Sequence, residues 1–496
     1  MQLKMYTDAD KERAQPIGES ARLTPESYRS DYRRDTARLL HAPSFRRLQG
    51  KTQLFPGQES DFFRNRLTHS LEVSQIAESI GYKLNHDIKN LGEEYAECQI
   101  DIDILRFASL AHDLGHPPFG HLGEEVLNCK MAQSGGFEGN AQTLHILTKL
   151  EKGINKDDRA EGIENDCDYR LGLNLTYRSL ASILKYDECI DIDPAKRVNA
   201  AAKTMHPQKG YYSCEKDIVK LIKEHVAPGF DASAGKFKSV ECAIMDVADD
   251  IAYSTYDLED ALKAGFITPM AIIATPGILW DSIVVKVNES LAKEHASLGN
   301  QGEVPVIDRE KALTFIKELF GPYLIGDDTE GEGEPVPMDK FKLLQDAYAT
   351  SNLLANDSKS RTELTSYLVG RFIRSVQIDI DEDFPALSKV YLDVEARKFV
   401  EILKQFTWQY QILNHRLKIV ASRGVEIVDA IFDLLSSEKG HELLPNDFHY
   451  TYDQFKDEAL KKRVICDFVA GMTDRYAIEF YGRLKSMSPE TIFKPL

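Results

Sequence analysis

Five of the thirteen histidines, His69, His86, His112, His116 and His121, fall within 53 residues, and His112 is followed at once by Asp113. Imidazole nitrogen and carboxylate oxygen are the donors a hydrolytic divalent-metal site needs, both deprotonated near neutral pH, with positions left open for water and substrate. An HD pair alone is ordinary surface sequence. Its meaning comes from its company, an upstream His69 on an apolar face and a downstream Ala248-Asp249-Asp250. His121 and Glu124 follow a Pro-Pro-Phe-Gly turn and stand three apart, so the carboxylate can accept a hydrogen bond that orients the imidazole. No GxxxxGK(S/T) loop, no GxGxxG after a strand and no Ser or Cys nucleophile with triad partners is present, which favours water as the attacking group.

Helical periodicity runs through most of the chain and period-two runs are rare, so the fold class is all-α. In 66–84, His69, Val73, Ile76, Ile80 and Leu84 are spaced 4, 3, 4 and 4 apart, which turns His69 inward. The next helix opens at Asp101 or Asp103 as cap and is predicted to run to Gly115, with Pro117 and Pro118 stopping it. That puts His112 and Asp113 in its last turn and His116 at its exit. A third helix over 240–264 carries Ile244, Val247, Ile251, Leu258 and Leu262 on one stripe and Asp249, Tyr253, Asp257 and Asp260 on another. Three helices of a bundle can supply one metal pocket in this way.

The net charge of −18 opposes a general polyanion-binding role, but the span from Arg29 to Arg66 holds nine Lys/Arg against four acids, +5 locally. One basic segment in an acidic chain suggests a small anionic ligand. The seven scattered cysteines form no CxxC pair, which argues against a disulfide framework and against a thiolate zinc site. No signal-type start and no apolar run of membrane length occurs, so the expectation is a cytoplasmic protein with no membrane partner. The acidic, Gly/Pro-rich stretch 325–337 suggests a soft boundary between a core of residues 1–325 and a C-terminal helical region of 326–496 packing on it.

RLTHSLEV (66–73), AHDLGHPPFGHLGEE (111–125) and ADDIAYSTYDLEDA (248–261) resemble the motifs of HD-domain deoxynucleoside triphosphate triphosphohydrolases. RRLQGKTQLF (46–55), FEGNAQ (137–142) and GLNLT with LKY (172–186) extend the resemblance over roughly residues 25–265. It implies an HD helical bundle with His69, His112, Asp113 and Asp249 as ligands of a divalent ion, magnesium or manganese. Asp249 is chosen over Asp246 and Asp250 because Tyr253 and Asp257 follow it by four and eight. The resemblance further implies catalytic roles for His121, Glu124 and His116. It implies substrate contacts at Arg66, Lys185, Tyr186 and Lys209 on phosphate, and at Gln53, Leu54, Tyr253 and Asp257 around the deoxyribose. Many relatives carry histidine where this chain has Gly139, which shifts the acid/base burden onto His121.

The reading is therefore metal-dependent hydrolysis of a deoxynucleoside triphosphate, dGTP favoured, to deoxynucleoside and tripolyphosphate. The resemblance also implies a homo-oligomer, tetramer or hexamer, and admits single-stranded DNA as a partner. Its rivals are an HD-type 5′-nucleotidase or phosphodiesterase, and a non-catalytic nucleotide- or nucleic-acid-binding regulatory protein.

Overall fold

The computed structural model describes residues 3–16, 28–54, 64–151, 153, 162–197, 207–231, 235–265, 267–298, 303–325, 340–413 and 415–485. Helix dominates them, and the strands are confined to three two-stranded pairs, so the all-α class holds. Eight helices carry the residues of chief interest: α1 (Asp31–His41), α2 (Arg66–Lys89), α3 (Ile102–Ala111), α4 (His121–Lys130), α5 (Gly139–His145), α6 (Val240–Lys263), α7 (Val394–Leu413) and α8 (Glu458–Ala470). No helix among the described residues is long and apolar enough to cross a membrane. The chain divides into two compact units, one of Met1–Asp246, Ile378–Val390 and Ile419–Leu496, the other of Val247–Gln377 and Tyr391–Lys418.

In the first unit, α2 starts where it does because Asn65 caps it. The Asn65 side chain accepts from Thr68 N at 3.0 Å and the Thr68 hydroxyl accepts from Asn65 N at 3.0 Å, a reciprocal box that satisfies two otherwise orphaned donors. Arg66 is thereby the first helical residue, and His69 lies one turn on. Val73, Ile76, Ile80 and Leu84 are fully buried against α3. Each such side chain contributes about 1.5–3 kcal/mol at most.

Asp101 caps α3, accepting from Asp103 N at 2.8 Å. The helix ends at Ala111, four residues short of the expected Gly115, with His112 as its C-cap. The chain there tightens into three-residue turns, Leu114 N donating to Ala111 O and His116 N to Asp113 O. Gly115 then passes against the start of α5, where only glycine fits: a Cβ on it would lie 2.1 Å from Gly139 O. The C-terminal part of this unit completes its core, with Leu127, Met131 and Phe137 packed among Ile431, Phe432, Leu435 and Val469.

In the second unit, Trp280 packs on Phe406 and Phe372 on Phe399, with ring centroids 5.5 and 5.8 Å apart. Ile251, Leu258 and Leu262 of α6 are buried as expected, but so are Asp257 and Asp260, so the acidic stripe is no solvated face. Asp250 is held by Arg397 at 2.6 Å and Lys404 at 2.7 Å, and Arg397 also reaches Glu294 and Glu401. Those cations hold the Asp250 carboxyl well below the usual range despite its burial.

Candidate active site

Donor atoms of His69, His112 and Asp113, all buried, lie within 4.8 Å of one another. Capping at Asn65 delivers the first and the end of α3 delivers the other two. His112 Nδ1 sits 2.7 Å from the carbonyl oxygen of Ser109. A carbonyl only accepts, so Nδ1 carries the proton and the lone pair is on Nε2, which faces Asp113 Oδ1 at 3.5 Å. This is the tautomer a metal-binding histidine needs, fixed by a backbone acceptor behind it. Two imidazoles and a carboxylate with such support fit a divalent ion.

Asp113 also receives Arg66 Nη1 on Oδ2 at 2.6 Å, and His116 Nδ1 stands 3.0 Å from its Oδ1. Burial alone would raise the Asp113 carboxyl, but His116, His112 and Arg66 outweigh it and hold it well below the usual range. Burial, then Arg66, pushes the His116 imidazole down to about 4, so it is neutral near pH 7. Arg66 Nε is buried without a hydrogen-bond partner among the described residues, a donor still to be satisfied.

Past His116 the chain turns sharply. Phe119 has φ of 61° and Gly120 has φ of 63°. The left-handed conformation of Phe119 costs about 1–2 kcal/mol. It is held from outside: Asp474 accepts from Phe119 N at 3.0 Å and from Thr52 N at 2.9 Å. The turn aims His121 at the ring of His116, with centroids 5.5 Å apart.

His121 Nδ1 lies 3.2 Å from Glu124 Oε2; the histidine side chain is 60% exposed and the glutamate 4%. Burial opposes ionisation of Glu124, yet its bond to His121, with Lys209 nearby, holds it well below the usual carboxylate range. An ionised carboxylate only accepts, so Nδ1 is the nitrogen that carries the proton toward it. Glu124 Oε1 accepts from Gly139 N at 2.8 Å. A Cβ at 139 would lie 3.4 Å from Glu124 Oε1 and 3.6 Å from His116 Cε1, so position 139 borders these same groups.

The phosphate candidates divide. Lys209 lies 3.9 Å from Glu124 and 2.8 Å from Glu138, and is stacked 5.8 Å above the ring of Tyr186, which brings both to the His121 end of the site. Lys185 is paired with Asp246, which also takes Lys238. Gln53 and Leu54 are half-buried beside the Thr52–Asn65 bridge, and Gln53 Oε1 has no hydrogen-bond partner among the described residues. Asp249, Tyr253 and Asp257 lie in the second unit. There burial, with Asp257 and Asp249, raises the Tyr253 phenol far above its ordinary value, so it stays protonated.

The basic segment does not form one cationic patch. Arg33 pairs with Asp103, Arg38 with Asp35 and Arg64 with Glu72. Residue types and spacing did not reveal one structural tie within it: buried Lys51 donates to His116 O at 2.5 Å and Ala470 O at 3.0 Å, linking the HD turn to the end of α8.

Residues 66–254 match the HD domain and residues 390–483 the phosphohydrolase-associated domain. A deoxyguanosinetriphosphate triphosphohydrolase-like protein of Mesorhizobium japonicum is 41% identical, over 99% of this chain and all of its own length. Similarly named proteins of Aliivibrio fischeri and Vibrio campbellii are 32% and 30% identical, each over 94% of this chain, and over 96% and 94% of their own lengths.

Proposed function

The chain belongs to the deoxyguanosinetriphosphate triphosphohydrolase-like family of HD-domain phosphohydrolases, and from that premise we propose that it hydrolyses deoxynucleoside triphosphates, dGTP foremost, to deoxynucleoside and tripolyphosphate in a metal-dependent reaction. The observation that carries this reading is the continuous string from His69, His112 and Asp113 through His116 to His121 and Glu124.

His69, His112 and Asp113 would hold magnesium or manganese, and the family resemblance adds Asp249 as fourth ligand. When bound, the ion offsets charge on the reacting phosphate. His121 Nε2 takes the proton of a water that attacks the α-phosphorus, and Glu124 keeps the imidazole in the competent tautomer. As the bond from phosphorus to O5′ breaks, the 5′ oxygen leaves with a proton and tripolyphosphate departs intact. Arg66 and Lys209 would hold phosphate oxygens and Gln53 a sugar hydroxyl, a reading supported by the unsatisfied Arg66 Nε and Gln53 Oε1. Tyr253 and Asp257 complete the sugar side on the resemblance. Exposed Ile278, Phe341, Tyr348 and Leu353 of the second unit support the expectation of a homo-oligomer, which light scattering would size.

The test is product analysis after incubation with dGTP and manganese. Tripolyphosphate and deoxyguanosine are expected, with turnover abolished by chelation. Pyrophosphate or orthophosphate as first product, or turnover of monophosphates alone, would overturn the reading.

A further inference from the structure

Away from the HD residues, the far end of α5 carries a second group of metal-type donors. His145 Nδ1 lies 2.7 Å from Glu215 Oε1 and 3.9 Å from Cys214 Sγ, and Cys214 Sγ lies 3.0 Å from Glu215 Oε2. On the other side of the ring, His145 Nε2 lies 3.3 Å from Asp467 Oδ2, and Asp467 Oδ1 accepts from Gln142 Nε2 at 3.0 Å. His145 and Glu215 are buried, whereas Cys214 is exposed.

We propose that His145 Nδ1, Cys214 Sγ and the Glu215 carboxylate form a second divalent-metal site, selective for zinc, with a water in the fourth position. The donor set is the first argument. Thiolate with imidazole and carboxylate suits a borderline-soft ion and not magnesium, whose sites are oxygen-rich. Geometry is the second. Zinc–ligand lengths of about 2.0–2.3 Å imply edges of roughly 3.3–3.8 Å in a tetrahedron. The three donor atoms lie within 4.8 Å of one another, with Nδ1 3.9 Å from Sγ and the carboxylate meeting Nδ1 through Oε1 at 2.7 Å and Sγ through Oε2 at 3.0 Å, so small side-chain shifts bring them onto such a triangle.

The surroundings are the third argument. Asp467 behind Nε2 fixes the ring so that Nδ1 points at the other two donors, the outer carboxylate arrangement that metal-bound histidines use. Binding sends the protons of Nδ1 and Sγ to solvent. Sequence spacing could not indicate such a site, because its single cysteine has no CxxC neighbour and its histidine comes from far along the chain. It would pin the end of α5, whose first residue, Gly139, bonds Glu124 about 9 Å away along the helix axis.

The test adds cobalt(II) to reduced, chelator-stripped full-length protein. A thiolate-to-cobalt charge-transfer absorption is expected, lost in Cys214→Ser and retained in Cys129→Ser and in Asp113→Asn. Zinc retained after gel filtration should fall by one equivalent in Cys214→Ser and be unchanged in Cys129→Ser. Absence of the band in the wild type, or its persistence in Cys214→Ser, would overturn the site without touching the proposed hydrolysis.

Discussion

The Arg66 guanidinium stands 2.6 Å from Asp113 Oδ2, with both side chains buried. A residue expected to grip phosphate thus also supports a proposed metal ligand. Arg66→Met should therefore weaken manganese binding about tenfold or more, the scale on which outer partners of metal ligands act, in addition to raising KM for dGTP. Calorimetric titration with manganese checks it; an unchanged metal affinity would confine Arg66 to substrate.

His121 is exposed and poised by Glu124, and it sits outside the His69–His112–Asp113 cluster. His121→Ala should lower kcat by about 10²–10⁴-fold with bound manganese unchanged. Glu124→Gln should lower it less, since the imidazole remains but its tautomer is no longer enforced. Single-turnover kinetics with metal analysis separate the two effects, and loss of metal in His121→Ala would contradict the assignment.

Burial first, then Arg66, pushes the Lys51 amine down to about 7, against about 10.4 for an unfolded lysine. Between those values the folded chain binds fewer protons than the unfolded chain, so stability rises with pH. Chelator-treated wild type should gain stability relative to Lys51→Met between about pH 7 and about pH 10. Urea denaturation of both proteins measures this, and a difference that is flat or falls with pH would contradict it.

Arg397 satisfies Asp250, Glu294 and Glu401 together. Removing it leaves three clustered carboxylates without their common cation, so Arg397→Met should destabilise the protein by roughly 3–5 kcal/mol. Thermal unfolding checks this, and a shift within error of zero would mean Lys404 alone suffices.

What the sequence made legible were features with a local signature. The 4, 3, 4, 4 spacing turned His69 inward, the prolines put the HD pair at a helix end, and the Pro-Pro-Phe-Gly turn set His121 beside Glu124. The close approach of Gly115 to Gly139 was hidden because it is a tertiary contact between segments distant in sequence. The acidic stripe of α6 could be read as solvated, since its burial depends on tertiary packing. How the +5 of the basic segment is distributed was hidden in the same way: Asp103 and Glu72, outside the segment, pair with two of its arginines. Lys51 and the Ser109 carbonyl act through backbone oxygens, which leave no residue-type signal.

The most direct measurement of the central claim is hydrolysis of dGTP in ¹⁸O-labelled water with manganese present. Water attack at the α-phosphorus requires the label in tripolyphosphate, on the phosphorus that carried O5′, and none in deoxyguanosine. Label in the deoxyguanosine hydroxyl, or in released orthophosphate or pyrophosphate, would contradict it.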